Sequence, residues 1–245
     1  MVRVVYLLLL AFVAASACLP AGALELDRRR MLTAEEHVPW RGVGRVNVAG
    51  LSALSMCTGT LIAEDIVLTA AHCVMNRITG RPHRPESVHF VAGWRLGRKV
   101  AHREAKAIAV HPGYRFVERP TDEHIGADVA LIRLAEPIPR EKAPFFTVAP
   151  APEPGTPLTL ISYRRDRANA LTRQDGCAIR SVRGPVMELG CNVTFGASGS
   201  ALFVTDGAER RVVAVLSAKG NDPRRDTAFA VLVDAALAEV MAALE

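Results

Sequence analysis

The sequence predicts an all-β protein made of two β units, with one short helix at the C-terminus. Three observations carry this prediction. Short apolar runs rich in Val, Ile, Leu and Thr recur between turn residues, which is typical of sandwiches and barrels. A proline-rich stretch separates these runs into two groups, and a helical spacing of apolar residues occurs only near the end of the chain. The 245 residues, 50% of them hydrophobic, are enough to bury a large core.

The two β units are placed at residues 38–136 and 158–245. The first contains five predicted strands and the second contains four, most of them four to eight residues long. They are 58–62, 66–69, 88–94, 107–110 and 129–134, then 158–163, 201–205, 212–217 and 228–233.

A connector, residues 137–157, lies between the units. It contains seven prolines, each of which lacks a backbone donor and fixes φ, so we expect no regular element there. The predicted helix follows the last strand, with Asp234 as its N-cap. Its apolar face is formed by Val233, Leu237, Val240, Met241 and Leu244.

Residues 1–23 have the pattern of a secretory signal peptide. A basic residue precedes an uncharged apolar run, and the A-x-A sequence at 21–23 predicts cleavage at its end. The run is shorter than the roughly 20 residues of a membrane span, so we expect a soluble product that is secreted or periplasmic. Residues 24–37 are then an N-terminal segment and a candidate propeptide. Lipidation at Cys18, which would attach the protein to a membrane, is the second interpretation.

The charge balance gives little support for a nucleic-acid partner. The formal net charge is +5 at pH 7, and removal of the signal peptide leaves 29 Lys and Arg against 25 Asp and Glu. This excess is modest for a chain of this length, and an aromatic content of 5% argues against a platform for stacking bases. We therefore expect no nucleic-acid binding.

The cysteines predict disulfides. Five cysteines become four once Cys18 is removed with the signal peptide, and four cysteines in an exported protein indicate two disulfides. Three connectivities are open. The local one pairs Cys57 with Cys73 and Cys177 with Cys191, and each short loop would add about 3 kcal/mol of stability. A zinc site is the competing interpretation, but the sequence lacks the C-x₂-C pairs that such sites usually need.

Two motifs and an acid between them indicate chemistry. The first motif is C-T-G-T-L-I at 57–62 together with L-T-A-A-H-C at 68–73, and the second is G-A-S-G-S at 196–200. Asp128 opens an apolar run between them. The order His, Asp, Ser is one of the known chain orders for a serine nucleophile with its base and orienting acid.

These motifs resemble those of the trypsin-like serine proteases of the chymotrypsin fold, in particular the bacterial secreted branch that includes the glutamyl endopeptidases. The resemblance covers roughly residues 38–233. It implies two antiparallel six-stranded β-barrels with the active site in the cleft between them. It also implies a secreted serine endopeptidase that cleaves polypeptides through an acyl-enzyme. We expect such a protein to use no cofactor or metal and to be a monomer.

The resemblance assigns a role to each residue of the site. Ser198 is the nucleophile and His72 its base, while Asp128 fixes the tautomer of the imidazole. The backbone N–H groups of Gly196 and Ser198 form the oxyanion hole. Asp122 is the alternative acid. Activity should rise as His72 loses its proton, with a pKa near ~6.5, and the two local disulfides would brace the loops that carry the base and the nucleophile.

The chain also departs from the family pattern. Ala197 stands where many digestive enzymes have an Asp just before the nucleophile, so their Asp-based activation switch is not expected here. Asn192 matches the floor of the substrate pocket and Ser217 its edge, and a neutral Asn argues against strong selection for Arg or Lys. Leu216 replaces the His of glutamyl endopeptidases, which puts selectivity for Glu in doubt. Lys219, beside the pocket, is our hypothesis for attraction of an acidic side chain.

Two other functions stand as alternatives. The same fold can persist in a binding protein that hydrolyses nothing, and the same triad can act as an esterase. The joint presence of His72, Asp128, Gly196 and Ser198 argues against the first alternative. The remaining histidines are expected on the surface or in loops. The sequence contains no H-E-x-x-H motif, which would have indicated a catalytic metal.

Overall fold

The computed structural model describes residues 29–48, 56–222 and 224–244. The predicted signal peptide, with Cys18, lies outside the described residues. Strands dominate the part that is described, and their pairing produces two closed rings. In these ranges no helix combines the length and the apolar character needed to cross a membrane.

The first ring is built from the N-terminal half of the chain. The strands of this half are β1 Arg29–Met31, β2 Val43–Val48, β3 Cys57–Leu61, β4 Ile66–Thr69, β5 Met75–Asn76, β6 Arg81–Pro82, β7 Val88–Ala92, β8 Ala101–Val110 and β9 Ala130–Leu134. Six of them close into an antiparallel barrel in the order β2-β3-β4-β9-β8-β7. β5 and β6 form a separate small hairpin just after the end of β4.

The second ring is built from the C-terminal half. The strands of this half are β10 Thr147–Val148, β11 Pro157–Arg164, β12 Arg167–Arg183, β13 Val186–Gly190, β14 Ala201–Asp206, β15 Glu209–Lys219 and β16 Ala228–Leu232. All of them except β10 form the ring. β12 pairs with β11 through its first half and with β13 through its second, which closes six strands into a ring. β1 extends the edge at β12, and β10 runs parallel to β15. The prediction of two six-stranded barrels is confirmed.

The described residues also form three short α-helices. They are α1 Ala34–His37, α2 Asp122–Gly126 and α3 Val233–Ala242. The predicted N-cap of α3 is wrong, because the chain passes directly from β16 into the helix and Leu232 occupies the cap position. The helix begins at Val233, whose side chain is fully buried, so Asp234 falls in the first turn, where a carboxylate suits the positive end of the helix dipole.

The connector at 137–157 is irregular, as its prolines predict, apart from β10 and the first residue of β11. It still contributes to the core. The Phe146 ring packs 5.9 Å from the Trp40 ring and 5.0 Å from the Phe203 ring, measured between centroids. These three aromatic residues join the start of the first β unit, the connector and the second barrel.

The two barrels share one hydrophobic cluster. Leu68 and Leu131 of the first barrel pack in the same buried group as Ile161, Phe203 and Val215 of the second. Close-packed interiors resist small displacements. The loops at the junction of the barrels are therefore held in a fixed relative position.

Candidate active site

His72 and Asp128 meet at the rim of the first barrel. His72 lies in a 3-10 turn, Ala71–Cys73, that follows β4, and Asp128 lies between α2 and β9. The His72 Nδ1 atom is 2.7 Å from Asp128 Oδ2, and the backbone N–H of His72 donates to Asp128 Oδ1 at 2.9 Å. Because one carboxylate holds both the backbone and the ring of the same residue, the imidazole has a defined orientation and Nδ1 carries the proton.

A third donor reaches this carboxylate from the second barrel. The Ser217 hydroxyl donates to Asp128 Oδ2 at 2.5 Å. Asp128 itself is only 4% exposed. A buried carboxylate needs such donors to remain ionised.

The charges of the pair are mutually dependent. Burial opposes protonation of His72, but the charge and hydrogen bond of Asp128 outweigh burial and raise the pKa of His72 above its usual value. Burial would raise the pKa of Asp128, yet His72 and the Ser217 hydroxyl hold that pKa below its usual range. Arg77 acts on His72 in the opposite sense to Asp128, since its positive charge lowers the pKa of the imidazole.

The Ser198 loop is a tight turn between Cys191 and β14. Gly196 and Gly199 have φ values of +91° and +77°, a region that favours glycine. A Cβ at Gly199 would lie 2.2 Å from Thr69 Oγ1, and a Cβ at Gly196 would lie 2.7 Å from Met56 Cε. Both glycines therefore allow the loop to pack closely against the first barrel.

The amide groups of Gly196 and Ser198, at the centre of this loop, are left available. The N–H groups of Ala197 and Gly199 donate to backbone carbonyls, at 3.1 Å and 2.8 Å. Those of Gly196 and Ser198 donate to no atom of the described residues. Two unpaired N–H donors at one turn are what the stabilisation of a negatively charged oxygen requires.

Ser198 and His72 line the same cavity, which has a volume of about 620 Å³. Within the described part of the chain the Ser198 hydroxyl makes no hydrogen bond to His72, and His72 Nε2 lies 3.7 Å from Cys73 Sγ. Catalytic hydrogen bonds are often long before substrate binds and shorten in the complex. The structure thus joins His72 and Asp128 directly, and places Ser198 on the same cavity as His72.

Thr58, on β3, fastens the serine loop to the first barrel. Its hydroxyl donates to Gly196 O at 2.8 Å and accepts from the backbone N–H of Tyr163 at 3.0 Å. Its own N–H donates to Ser198 O at 2.8 Å. The side chain is fully buried, so these bonds are shielded from water. Thr58 belongs to a motif that the sequence singled out, but nothing in the sequence indicates its contact with residues about 140 positions away.

The four cysteines form the local pair of disulfides. Cys57 is bonded to Cys73 and Cys177 to Cys191, with Cα atoms 6.0 Å and 5.1 Å apart. Cys57, His72 and Cys73 bring three potential metal ligands within 4.8 Å of one another. The two sulfur atoms are bonded to each other, however, and thus offer no thiolate to a metal.

The residues predicted for the substrate pocket are dispersed. Asn192 donates to Asp226 Oδ1 at 2.6 Å, a carboxylate that no motif in the sequence indicates. Lys219 lines a different cavity from the one that contains Ser198, while Ser217 contacts Asp128. Asp122, the alternative acid, bonds to Arg183 at 2.8 Å on the surface.

A match to a family model shows which protein family the chain belongs to. The sequence matches the trypsin-like peptidase domain over residues 57–215, which is well over half of the chain. It belongs to this family. The matched range contains His72, Asp128 and Ser198, although a family match assigns no role to individual residues.

Individual proteins extend the comparison. The chain is 27% identical to the cercarial protease of Schistosoma mansoni over 146 residues, covering 55% of this chain and 53% of that protein. It spans about half the length, or less, of the curated relatives it matches. A solved Glu endopeptidase in complex with MPD superposes with a TM-score of 0.71 at 20% identity, covering 87% of this chain and 94% of that one. An inactivated protease paralogue of the scabies mite superposes with a TM-score of 0.63 at 16% identity, covering 83% and 91%. At these identities the likeness to solved structures shows the fold.

Proposed function

We propose that the protein is a serine endopeptidase that hydrolyses peptide bonds through an acyl-enzyme, with Ser198 as nucleophile, His72 as base and Asp128 as orienting acid. The observation that carries the proposal is that His72, which contacts Asp128, lines the same cavity as Ser198 and two unpaired backbone donors. Names of relatives such as the cercarial protease support the same reaction class.

Acylation follows from this arrangement. His72 Nε2 takes the proton of the Ser198 hydroxyl while Oγ bonds to the carbonyl carbon of the substrate. The carbonyl oxygen gains the negative charge and accepts hydrogen bonds from the N–H groups of Gly196 and Ser198. His72 then gives its proton to the departing nitrogen, the carbon–nitrogen bond breaks, and an ester remains on Ser198.

Deacylation repeats these steps with water. His72 removes a proton from a water molecule, which attacks the ester carbon, and the bond to Ser198 Oγ breaks as His72 returns the proton to that oxygen. Throughout both steps Asp128 stays ionised and stabilises the imidazolium, to which it is already hydrogen-bonded.

The proposed setting is outside the cytoplasm. The signal-peptide pattern, two disulfides and a protease among the relatives support a secreted or periplasmic monomer that acts on polypeptides without a cofactor. On substrate selection, we retain the hypothesis that Lys219 attracts acidic side chains. Identical peptide-library profiles for the wild type and Lys219→Ala would remove it.

Catalysis itself is tested with a fluorophosphonate probe and a peptide library. We expect the probe to label Ser198, and we expect His72→Ala to abolish the labelling. Ser198→Ala should lower turnover by a factor on the order of 10⁶. A folded protein that neither reacts with the probe nor cleaves any peptide would favour the non-catalytic alternative, for which the inactivated mite paralogue is a precedent of the same fold.

The esterase alternative is separated by matched substrates. An ester and an amide with the same acyl group should both be hydrolysed by the wild type, and both activities should be lost in Ser198→Ala. Hydrolysis of esters alone, with every peptide left intact, would replace the endopeptidase by an esterase.

A further inference from the structure

The large cavity next to Ser198 is lined by basic and apolar side chains. Arg77, His83 and Arg165 provide the basic groups. Phe195 and Ile78, which are 71% and 96% exposed, provide apolar surface around them. No Asp or Glu is among the described residues that line this cavity. The cavity that adjoins it is also basic. Two further arginines line it, and its described lining residues include no Asp or Glu.

Two arginines of the large cavity, Arg77 and Arg165, lack acidic partners. The Arg165 guanidinium lies 4.4 Å from the centroid of the Phe195 ring, and that of Arg77 lies 5.1 Å from the centroid of the Phe116 ring. Neither forms an ion pair with a described residue. Asp166, next to Arg165 in the chain, is bound through both carboxylate oxygens by Arg164 instead. An aromatic ring orients a guanidinium without neutralising it.

This cavity is on the leaving-group side of the cleft. The end of β15, with Ser217, lines a smaller cavity on the Asp128 side of His72. The family resemblance makes Ser217 the edge of the substrate pocket, so we place the acyl part of a substrate on this side. The large cavity lies on the other side of His72, against the Cys57–Cys73 disulfide and Gly196. A chain whose carbonyl is at Ser198 therefore extends its departing segment into the basic cavity.

The acyl side has a different charge pattern. Glu118 lies there together with Arg119 and Lys219, so positive and negative groups are mixed. Arg165 lines the large cavity but not the smaller one, whereas Arg77 lines both. The smaller cavity also has Arg115 but contains the carboxylate of Asp128, so of these two cavities only the one on the leaving-group side has basic groups and no described acid.

We infer that the enzyme selects polypeptides with acidic residues just C-terminal to the scissile bond, and that Arg165 and Arg77 are the residues that recognise them. The inference rests on the proposed function and adds a substrate class to it. Carboxylate side chains in the departing segment would pair with two guanidinium groups that the fold holds in place on aromatic rings. The exposed Phe195 and Ile78 would contact apolar side chains of the same segment.

The selection should be moderate and sensitive to salt. Ion pairs at partly exposed sites contribute little individually, which corresponds to about a threefold effect for each arginine. Two pairs together give a preference of about tenfold. Because screening shortens the range of such interactions, the preference should shrink as ionic strength rises.

The test uses quenched fluorescent peptides that are identical up to the scissile bond. The second and third residues after that bond are Glu-Glu, Gln-Gln or Lys-Lys. The measured quantity is kcat/KM at a pH on the plateau of each variant's profile, so that the protonation of His72 does not enter. We expect the wild type to prefer Glu-Glu over Gln-Gln by about tenfold, and each of Arg165→Gln and Arg77→Gln to reduce that ratio about threefold.

Arg140→Gln is the matched control. Its guanidinium also stacks on an aromatic ring, 4.6 Å from the centroid of Phe145, but it lines neither basic cavity. The Glu-Glu preference should be unchanged in this variant, and a loss equal to that in Arg165→Gln would overturn the inference in favour of a general effect of net charge.

The remaining outcomes separate the two proposals. Cleavage of all three peptides at equal rates would overturn the inference and leave the endopeptidase intact. Absence of any cleavage, together with absence of fluorophosphonate labelling, would overturn the proposed function and the inference with it. Inhibition by a single-stranded oligonucleotide at concentrations far below those of the acidic product peptide, relieved by Arg165→Gln, would replace the inference with a polyanion site.

Discussion

At the residue scale, the candidate chemistry depends on how one imidazole is held between opposing charges. Asp128 stabilises the protonated ring and Arg77 destabilises it, while burial works against any charge. The sequence predicted a pKa near ~6.5 because it offered no distances. The 2.7 Å contact between His72 Nδ1 and Asp128 Oδ2 raises the expected pKa of His72 above that value.

The pH profile measures this balance. His72 must be neutral to accept the proton of Ser198, so kcat/KM should rise with pH through the pKa of His72, above 6.5 in the wild type. Arg77→Gln removes a positive charge that lowers this pKa, so the rising limb should move to higher pH. The measurement is kcat/KM from pH 5 to 9 on the Gln-Gln peptide. A limb that moves to lower pH in Arg77→Gln would contradict the electrostatic account.

A second histidine links pH to stability. His37 is only 3% exposed, and burial together with the nearby arginines lowers its pKa to about 4. Its folded pKa is below the ordinary value of about 6.5, so the unfolded chain takes up a proton first as the pH falls. Stability should therefore be complete above pH 6.5 and decline between pH 6.5 and 4, by on the order of 2 kcal/mol.

The variant His37→Gln tests this expectation. Urea unfolding at pH 7.5 and pH 4.5 gives the change in the free energy of unfolding for each protein. Since glutamine does not titrate, the variant should lose less stability than the wild type over this interval. Equal losses in the two proteins would show that His37 does not carry the acid sensitivity.

At the element scale, the sequence predicted the strands in which apolar residues dominate and missed a long strand in which they do not. β4 and β9 were found because most of their residues are Val, Ile, Leu or Ala, with Thr69 and Arg133 as the exceptions. β12, the longest strand of the described residues, was missed because the consecutive polar residues 173–175 and Gly176 interrupt its apolar residues. β12 closes the second barrel because it pairs with both β11 and β13. Strand pairing of this kind cannot be predicted from a local run of residues.

β3 offers a prediction at this scale, because Thr58 joins it to the serine loop. Thr58→Val keeps the shape of the side chain but leaves Gly196 O without its donor and Tyr163 N–H without its acceptor. We expect the free energy of unfolding to fall by about 1–3 kcal/mol. We also expect kcat to fall about tenfold with little change in KM, because the oxyanion donors of the adjoining loop are less well fixed.

Thr58→Ser is the control for this variant, since it retains the hydroxyl and should retain most of kcat. The readouts are steady-state kinetics on one peptide and chemical unfolding of the same preparations. A loss of stability in Thr58→Val with kcat unchanged would assign Thr58 a structural role alone.

At the scale of the whole molecule, the candidate site exists because two barrels share a core. His72 and Asp128 come from the first barrel, and Ser198 and Ser217 come from the second. The sequence identified these residues through local motifs with family resemblance. It gave no indication of the Ser217–Asp128 bond, the Asn192–Asp226 contact or the basic cavity, because each depends on surfaces that meet only after folding.

The most direct measurement of the central claim is the trapping of the covalent intermediate. An activated ester is mixed with the enzyme in a stopped-flow instrument, and the quenched protein is digested and analysed by mass spectrometry. The account predicts a burst of about one equivalent of product per enzyme, and an acyl group on the peptide that contains Ser198 and on no other. Steady turnover by the Ser198→Ala protein, or an acyl group on a different residue, would contradict it.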